Sequence, residues 1–232
     1  VVGHPRNGLY SYQFKGLNFQ GLPTFVMAPN QNDDIAGANF QDTDNITKYL
    51  KYEGSVEPNK SIGFSNSFSY ENWSLNVFIV ASGGNKIRLN PSYSAAYTDL
   101  DVFTKEFSNR WLNPGDEAHT TIPVIADQRL IANYAAQSKT LERAYSAYNF
   151  SDERVADGSF VRLKNISLAY EFPKDLKKRY GLTTFNLKGV ATNPLLIYSD
   201  KKLNGQDPEF FRSGGVSLPI TSQYTFAINV SF

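Results

Sequence analysis

Five stretches of this chain alternate apolar and polar residues with a period of two, the spacing of extended strands rather than helices. The plainest is 224–232 (YTFAINVSF). Tyr224, Phe226, Ile228, Val230 and Phe232 fall on one side, and Thr225, Ala227, Asn229 and Ser231 on the other. Residues 61–71 (SIGFSNSFSYE) set Phe64, Phe68 and Tyr70, with Asn66, against Gly63, Ser65, Ser67 and Ser69. In 74–82 (SLNVFIVAS), Leu75, Val77, Ile79 and Ala81 oppose Asn76, Phe78, Val80 and Ser82. Only Asn72 and Trp73 separate these two runs, which predicts a hairpin with a very short turn. A third run, 160–172, places Ile166, Leu168, Tyr170 and Phe172 opposite Asn165, Ser167, Ala169 and Glu171. Its upper half carries Arg162 and Lys164 in line with the apolar set. Pro173 closes it, and a short basic turn follows at 174–180. In 184–198, Phe185, Leu187, Gly189 and Ala191 alternate with Asn186, Lys188, Val190 and Thr192, and a bulge or bend is expected at Asn193-Pro194.

Strands that are apolar on one face and small or polar on the other suit a wall with lipid on one side and a polar lumen on the other. Connections alternate short, long, short, long, the asymmetry of outer-membrane barrels. The predicted fold class is all-β: an antiparallel transmembrane β-barrel segment of about five strands with long extracellular loops. The expected organisation is an extracellular loop region at 1–60, a barrel hairpin at 61–89 and a long extracellular loop with short helices at 90–159. A second barrel hairpin at 160–198, an extracellular loop at 199–221 and a last barrel strand at 222–232 complete it. Helical pieces are expected at 100–109 and 131–144. Lipid should meet Phe64, Phe68, Tyr70, Leu75, Val77, Ile79, Ile166, Leu168, Tyr170, Phe172, Tyr224, Phe226, Ile228, Val230 and Phe232. The upper half of the third strand, with Arg162 and Lys164 on that side, should stand clear of hydrocarbon. Trp73, at the turn, suits an interfacial aromatic girdle.

Composition narrows the field. Lys and Arg number 23 against 22 Asp and Glu, a net charge of +1, so nothing favours a nucleic-acid partner. Charged residues make up 19%, below the roughly 25% of ordinary soluble domains, whereas aromatics reach 14%. There is no cysteine, which excludes disulfides, thiolate metal sites and cysteine nucleophiles. No apolar run is long enough for a transmembrane helix, so a membrane could be crossed only as a closed barrel. Five strands leave two open edges, and the chain starts at Val1 without a leader-like segment. It is expected to be a piece of a larger protein.

Candidate chemistry is sparse. Asp116, Glu117 and His119 lie within four residues, but no spacing enforces a catalytic or metal geometry, and a solvated loop accounts for them. His4 reads as a loop residue. Asp42-Thr-Asp44-Asn45 lacks the glycine and distal glutamate of a calcium loop. Gly83-Gly84 and Gly214-Gly215 read as loop hinges, and Asn-X-Ser/Thr triplets follow from Ser/Asn-rich strands. No catalytic, metal or cofactor-binding residue and no cofactor is expected. Flat rings for ligand contact are offered by Tyr93, Tyr97, Trp111, Phe210 and Phe211, which could equally pack loops together. A competing reading is a soluble β-sandwich glycan-binding module.

Several segments, in order, carry a resemblance. They are 3–16 (GHPRNGLYSYQFKG), 63–70 (GFSNSFSY) with 75–78 (LNVF) and 84–86 (GNK), and 109–117 (NRWLNPGDE) with 121–123 (TIP). Then come 158–170 (GSFVRLKNISLAY), 207–209 (DPE) and the closing strand. Together they resemble the C-terminal part of SusC/RagA-family TonB-dependent outer-membrane transporters of Bacteroidetes. The resemblance implies a large plugged barrel that imports oligosaccharides or peptides. It also implies a SusD-like surface lipoprotein as lid, TonB acting through an N-terminal region not present here, and a Gram-negative outer-membrane address.

Overall fold

The computed structural model describes residues 6–27, 50–98, 100–101, 103–209 and 221–232. In chain order the strands are β1 (Gly8–Tyr12), β2 (Phe14–Leu17), β3 (Pro23–Phe25), β4 (Leu50–Ser55), β5 (Lys60–Tyr70), β6 (Trp73–Gly83) and β7 (Lys86–Arg88). Two helices, α1 (Gln128–Ala136) and α2 (Leu141–Asn149), precede β8 (Val155–Asp157) and β9 (Phe160–Glu171). The short helix α3 (Lys174–Arg179) leads to β10 (Thr184–Tyr198) and β11 (Gln223–Ser231). The chain forms two compact units, one from Val1–Ser55 with Arg88–Ala156, the other from Val56–Ile87 with Asp157–Phe232.

The second unit is built on an antiparallel sheet of order β11-β10-β9-β6-β5. Its register lines the apolar halves of all five strands up on one face. One row across the strands is Tyr70, Trp73, Tyr170, Leu187 and Ile228; the next is Phe68, Leu75, Leu168, Gly189 and Phe226. Gly189 leaves room in that row: the Phe226 ring lies 3.6 Å from where its Cβ would stand, so the ring covers the bare backbone. The opposite face is polar, and Ser67, Asn76 and Ser167 are hydrogen-bonded across three strands at 2.6 and 3.4 Å. The β5–β6 turn consists of Glu71 and Asn72, with Glu71 at φ 50°, and Trp73 is the first residue of β6 rather than part of the turn.

The expected place of Arg162 is corrected. Phe78 of β6 faces Asn165, but Ile79 faces Leu163, so Lys164 is an extra residue in β9. Such a bulge puts two residues opposite one and reverses the parity of everything beyond it. Leu163 and Val161 therefore continue the apolar face. Arg162 lies opposite Val80 and Leu196, on the polar face, instead of in line with Ile166 and Leu168. The expected irregularity at Asn193-Pro194 is present: β10 shifts register between Thr192 and Leu195, with Asn193 at φ 51°.

The first unit has a hydrophobic core of its own, built from segments that the alternation pattern leaves as loops. Helix α2 presents Leu141, Ala144, Tyr145 and Tyr148, spaced three and four apart on one face, to Leu22, Phe25, Tyr93 and Phe107. Phe25 and Tyr145 are fully buried. The Tyr148 ring meets Phe14 and Tyr93 edge-on, at centroid distances of 5.4 and 5.0 Å. Burial pushes the Tyr145 and Tyr148 phenols well above their ordinary pKa. Residues 131–144 are not one helix. Helix α1, capped by Asp127, whose carboxylate accepts from Leu130 N at 2.7 Å, ends before Ser138 at φ 57°. That left-handed residue restarts the chain as α2. Among the described residues of 100–109 only a 3₁₀ turn, Lys105–Asn109, forms.

Candidate functional site

The apolar face of the five-stranded sheet stands out chemically. On it Phe226 is 87% exposed, Ile228 68% and Phe68 57%, far more contiguous apolar surface than a water-facing sheet ordinarily carries. The face holds Phe64, Phe68 and Tyr70 of β5, Leu75, Val77 and Ile79 of β6, and Ile166, Leu168 and Tyr170 of β9. From β11 it holds Tyr224, Phe226, Ile228 and Val230. Phe172 extends it by stacking on Phe185 at 4.0 Å and 9°, and Phe232 follows β11, almost fully exposed. Trp73 packs on Tyr170 with centroids 4.6 Å apart, forming an aromatic row at the tight-turn end. A shallow apolar groove of about 660 Å³ runs along this face past Leu75, Leu168 and Phe226.

On the polar face, β9 carries a charged cluster. Arg162 pairs with Asp207, their side chains only 3% and 6% exposed. Arg162 Nε lies 3.0 Å from Glu209 Oε2, an ion-pair distance without the alignment of a hydrogen bond. Lys164 Nζ reaches the same oxygen at 3.1 Å. Asp207 Oδ1 accepts from Glu209 N at 3.0 Å, which shapes the Asp-Pro-Glu segment so that both carboxylates face the cations. The bulge at Lys164 makes this possible, because without it Arg162 would point away. Sequence reasoning found both segments but did not join them. The broken parity at Arg162 was the available signal.

The loop aromatics are mostly spoken for. Tyr93 is buried, with its faces against Tyr148 and Arg154. Trp111 is buried beside Gly21, and Tyr97 is half-buried, its hydroxyl accepting from Ser94 N at 3.0 Å. Phe210 and Phe211 lie outside the described residues, as do His4, 42–45 and Gly214-Gly215. A cavity of about 620 Å³ in the first unit, lined by Tyr10, Tyr12, Arg143, Ser146 and Phe150, escaped the sequence reading. Those residues come from two segments far apart in the chain, and no periodicity connects them.

Asp116 and Glu117 serve the loop itself. Asp116 Oδ2 accepts from Asn113 N and Leu112 N at 2.9 and 3.0 Å. Glu117 Oε2 accepts from Trp111 Nε1 and Gly115 N at 2.9 and 2.8 Å. The Asn113 and Leu112 amides hold Asp116 below the usual carboxylate range, and the Trp111 indole does the same for Glu117. No group of three His, Cys, Asp or Glu in metal-binding geometry occurs among the described residues. A depressed folded pKa stabilises above the unfolded value and is lost as pH falls through the folded one. Trp111 fluorescence, read with Trp73→Phe, should therefore stay constant down to the ordinary glutamate pKa of roughly 4.3 and change only below it. In Glu117→Gln that acid transition should disappear. A transition centred at or above the ordinary value would contradict this.

No protein-family model matches the chain. TonB-dependent receptor P3 of Formosa agariphila is 28% identical over 213 residues, covering 89% of this chain and 19% of the receptor. TonB-dependent receptor P26 of the same organism is 28% identical over 193 residues, covering 77% and 17%. The RagAB peptide transporter superposes with a TM-score of 0.65 at 21% identity, over 97% of this chain and 22% of that one. The chain is similar to TonB-dependent receptors along most of its length, and its fold is that of part of the RagAB peptide transporter. The RagAB peptide importer in its open-open state gives a TM-score of 0.63 at 22% identity, over 96% and 22%. Identities this low speak for fold: an all-β, antiparallel barrel segment. The chain spans about a fifth of the length of the curated relatives it matches. No helix among its described residues is long and apolar enough to cross a membrane, which leaves strands untouched.

Proposed function

We propose that this chain is barrel wall and outer-loop structure of a TonB-dependent outer-membrane importer of oligosaccharides or peptides, working with a SusD-like surface lipoprotein. The observation that carries the reading is the continuous apolar face across β5, β6, β9, β10 and β11, backed by a polar face on the same strands. In lipid such a face is at home, and every strand edge must be paired. Further strands of the same transporter supply partners for β5 and β11. The two-residue β5–β6 turn and the α3 turn lie towards the periplasm. Segments 1–60, 90–159 and 199–221 lie outside, where they meet the lipoprotein and the cargo. TonB engages a part of the transporter beyond this chain. The β-sandwich reading would need a second sheet over Phe226, Ile228 and Phe68, and their exposure argues against it.

The test is made on the full-length protein in its own bacterium. It should fractionate with the outer membrane and run faster on unboiled than on boiled gels. Its deletion should abolish uptake of one labelled oligosaccharide or peptide class, and loss of TonB should do the same. Recovery in the soluble fraction, or uptake unaffected by the deletion, would refute the proposal.

A further inference from the structure

We infer that the turn between β9 and β10 is a docking surface for the phosphate headgroups of anionic glycerophospholipids. The inference rests on the reading that the five-stranded sheet spans a membrane. A transmembrane strand needs about 9–11 tilted residues to cross the hydrocarbon. Counted back from Phe172, such a span ends near Leu163, at the bulge of β9. The hydrocarbon boundary at the other end then falls at the aromatic rows, Trp73 on Tyr170 and Phe172 on Phe185. Helix α3 follows immediately, at headgroup depth.

That helix carries Lys174, Lys177, Lys178 and Arg179 against a single carboxylate, Asp175. Lys177 is spent on Glu171, at 2.6 Å. Lys174, Lys178 and Arg179 are exposed, and none forms an ion pair with a described residue. The neighbouring turn contributes one further carboxylate, Glu71, which offsets part of the charge. Exposed Tyr180 ends the turn. Rings at the interface with long cationic side chains just beyond them match a headgroup layer. Stems and rings lie along the apolar boundary while ammonium and guanidinium groups reach phosphate. A soluble acidic partner would explain the charge but not its place beside two aromatic rows.

The experiment folds the full-length protein into phosphatidylcholine vesicles and measures association of spin-labelled phosphatidylglycerol relative to labelled phosphatidylcholine. The unaltered protein should prefer phosphatidylglycerol several-fold, and added salt should reduce the preference. Lys174→Gln/Lys178→Gln/Arg179→Gln should bring it close to parity, each charge counting for about fivefold at most. Lys174→Arg/Lys178→Arg should retain it. Gel mobility before and after boiling shows that each variant has inserted, and Lys178→Gln alone should give a partial loss. An unchanged preference in the inserted triple variant overturns the inference. So does full competition by inorganic phosphate, which would mark a site for free anions. Failure of the unaltered protein to enter any bilayer would instead strike the membrane reading itself, and this inference with it.

Discussion

Arg162→Ala is expected to destabilise the full-length protein by about 3–5 kcal/mol, because it strands the Asp207 carboxylate in a site that is 6% exposed. The measurement is denaturant unfolding in detergent. Replacing both partners with apolar residues of similar size, Arg162→Met with Asp207→Leu, should restore much of the loss, since an absent pair leaves no orphaned charge. Lys164→Ala should cost no more than about 1 kcal/mol, because its bond to Glu209 is part-exposed and solvent screens it. If Arg162→Ala proved as mild as Lys164→Ala, the cluster would be a surface ornament and the burial argument would fail.

Two adjacent residues of β11 should give opposite results. Phe226→Arg places a cation on the apolar face, in the row of Leu75 and Leu168, and should cost about 2–4 kcal/mol of stability in a bilayer. Thr225→Arg points the same cation to the polar face, in the row of Asn76 and Ser167, and should be close to neutral. Urea titrations of the full-length protein in vesicles measure both. Equal costs would mean that the two faces do not see different media, and the barrel reading would lose its main support.

The sheet was legible because its code is local. Each of β5, β6, β9, β10 and β11 states its own two faces, and cross-strand pairing only had to match them. The bulge was legible only as broken parity at Arg162, which does not say where the extra residue sits. Around it the sequence reads Arg162-Leu163-Lys164-Asn165, with polar residues on both parities, no glycine, and nothing to mark Lys164 as the surplus residue. The first unit was hidden for a different reason. Its core joins Leu22 and Phe25 to Tyr93, Phe107, Tyr145 and Tyr148, residues that share no period because they come from separate stretches. Tyr93 and Trp111 therefore read as rings available to a ligand, when a partner such as Tyr148 was too remote in sequence to suggest itself. Asp116 and Glu117 read as a solvated loop, but they sit in a 3₁₀ turn where Asp116 takes the Leu112 and Asn113 amides and Glu117 the Trp111 indole, bonds that composition cannot display.

The interrupted layout of the first unit bears on how quickly this protein can be made. Phe14 N donates to an oxygen of Asp152, 138 positions further on, and the whole β5–β6 hairpin is threaded between those residues. Contacts of such sequence separation incur loop-closure entropy before they yield any gain, and folding slows accordingly. Until α2 is in place, the core around Phe25 lacks Leu141, Tyr145 and Tyr148. A chain waiting to fold thus keeps these rings uncovered, which makes it a natural client for holding chaperones.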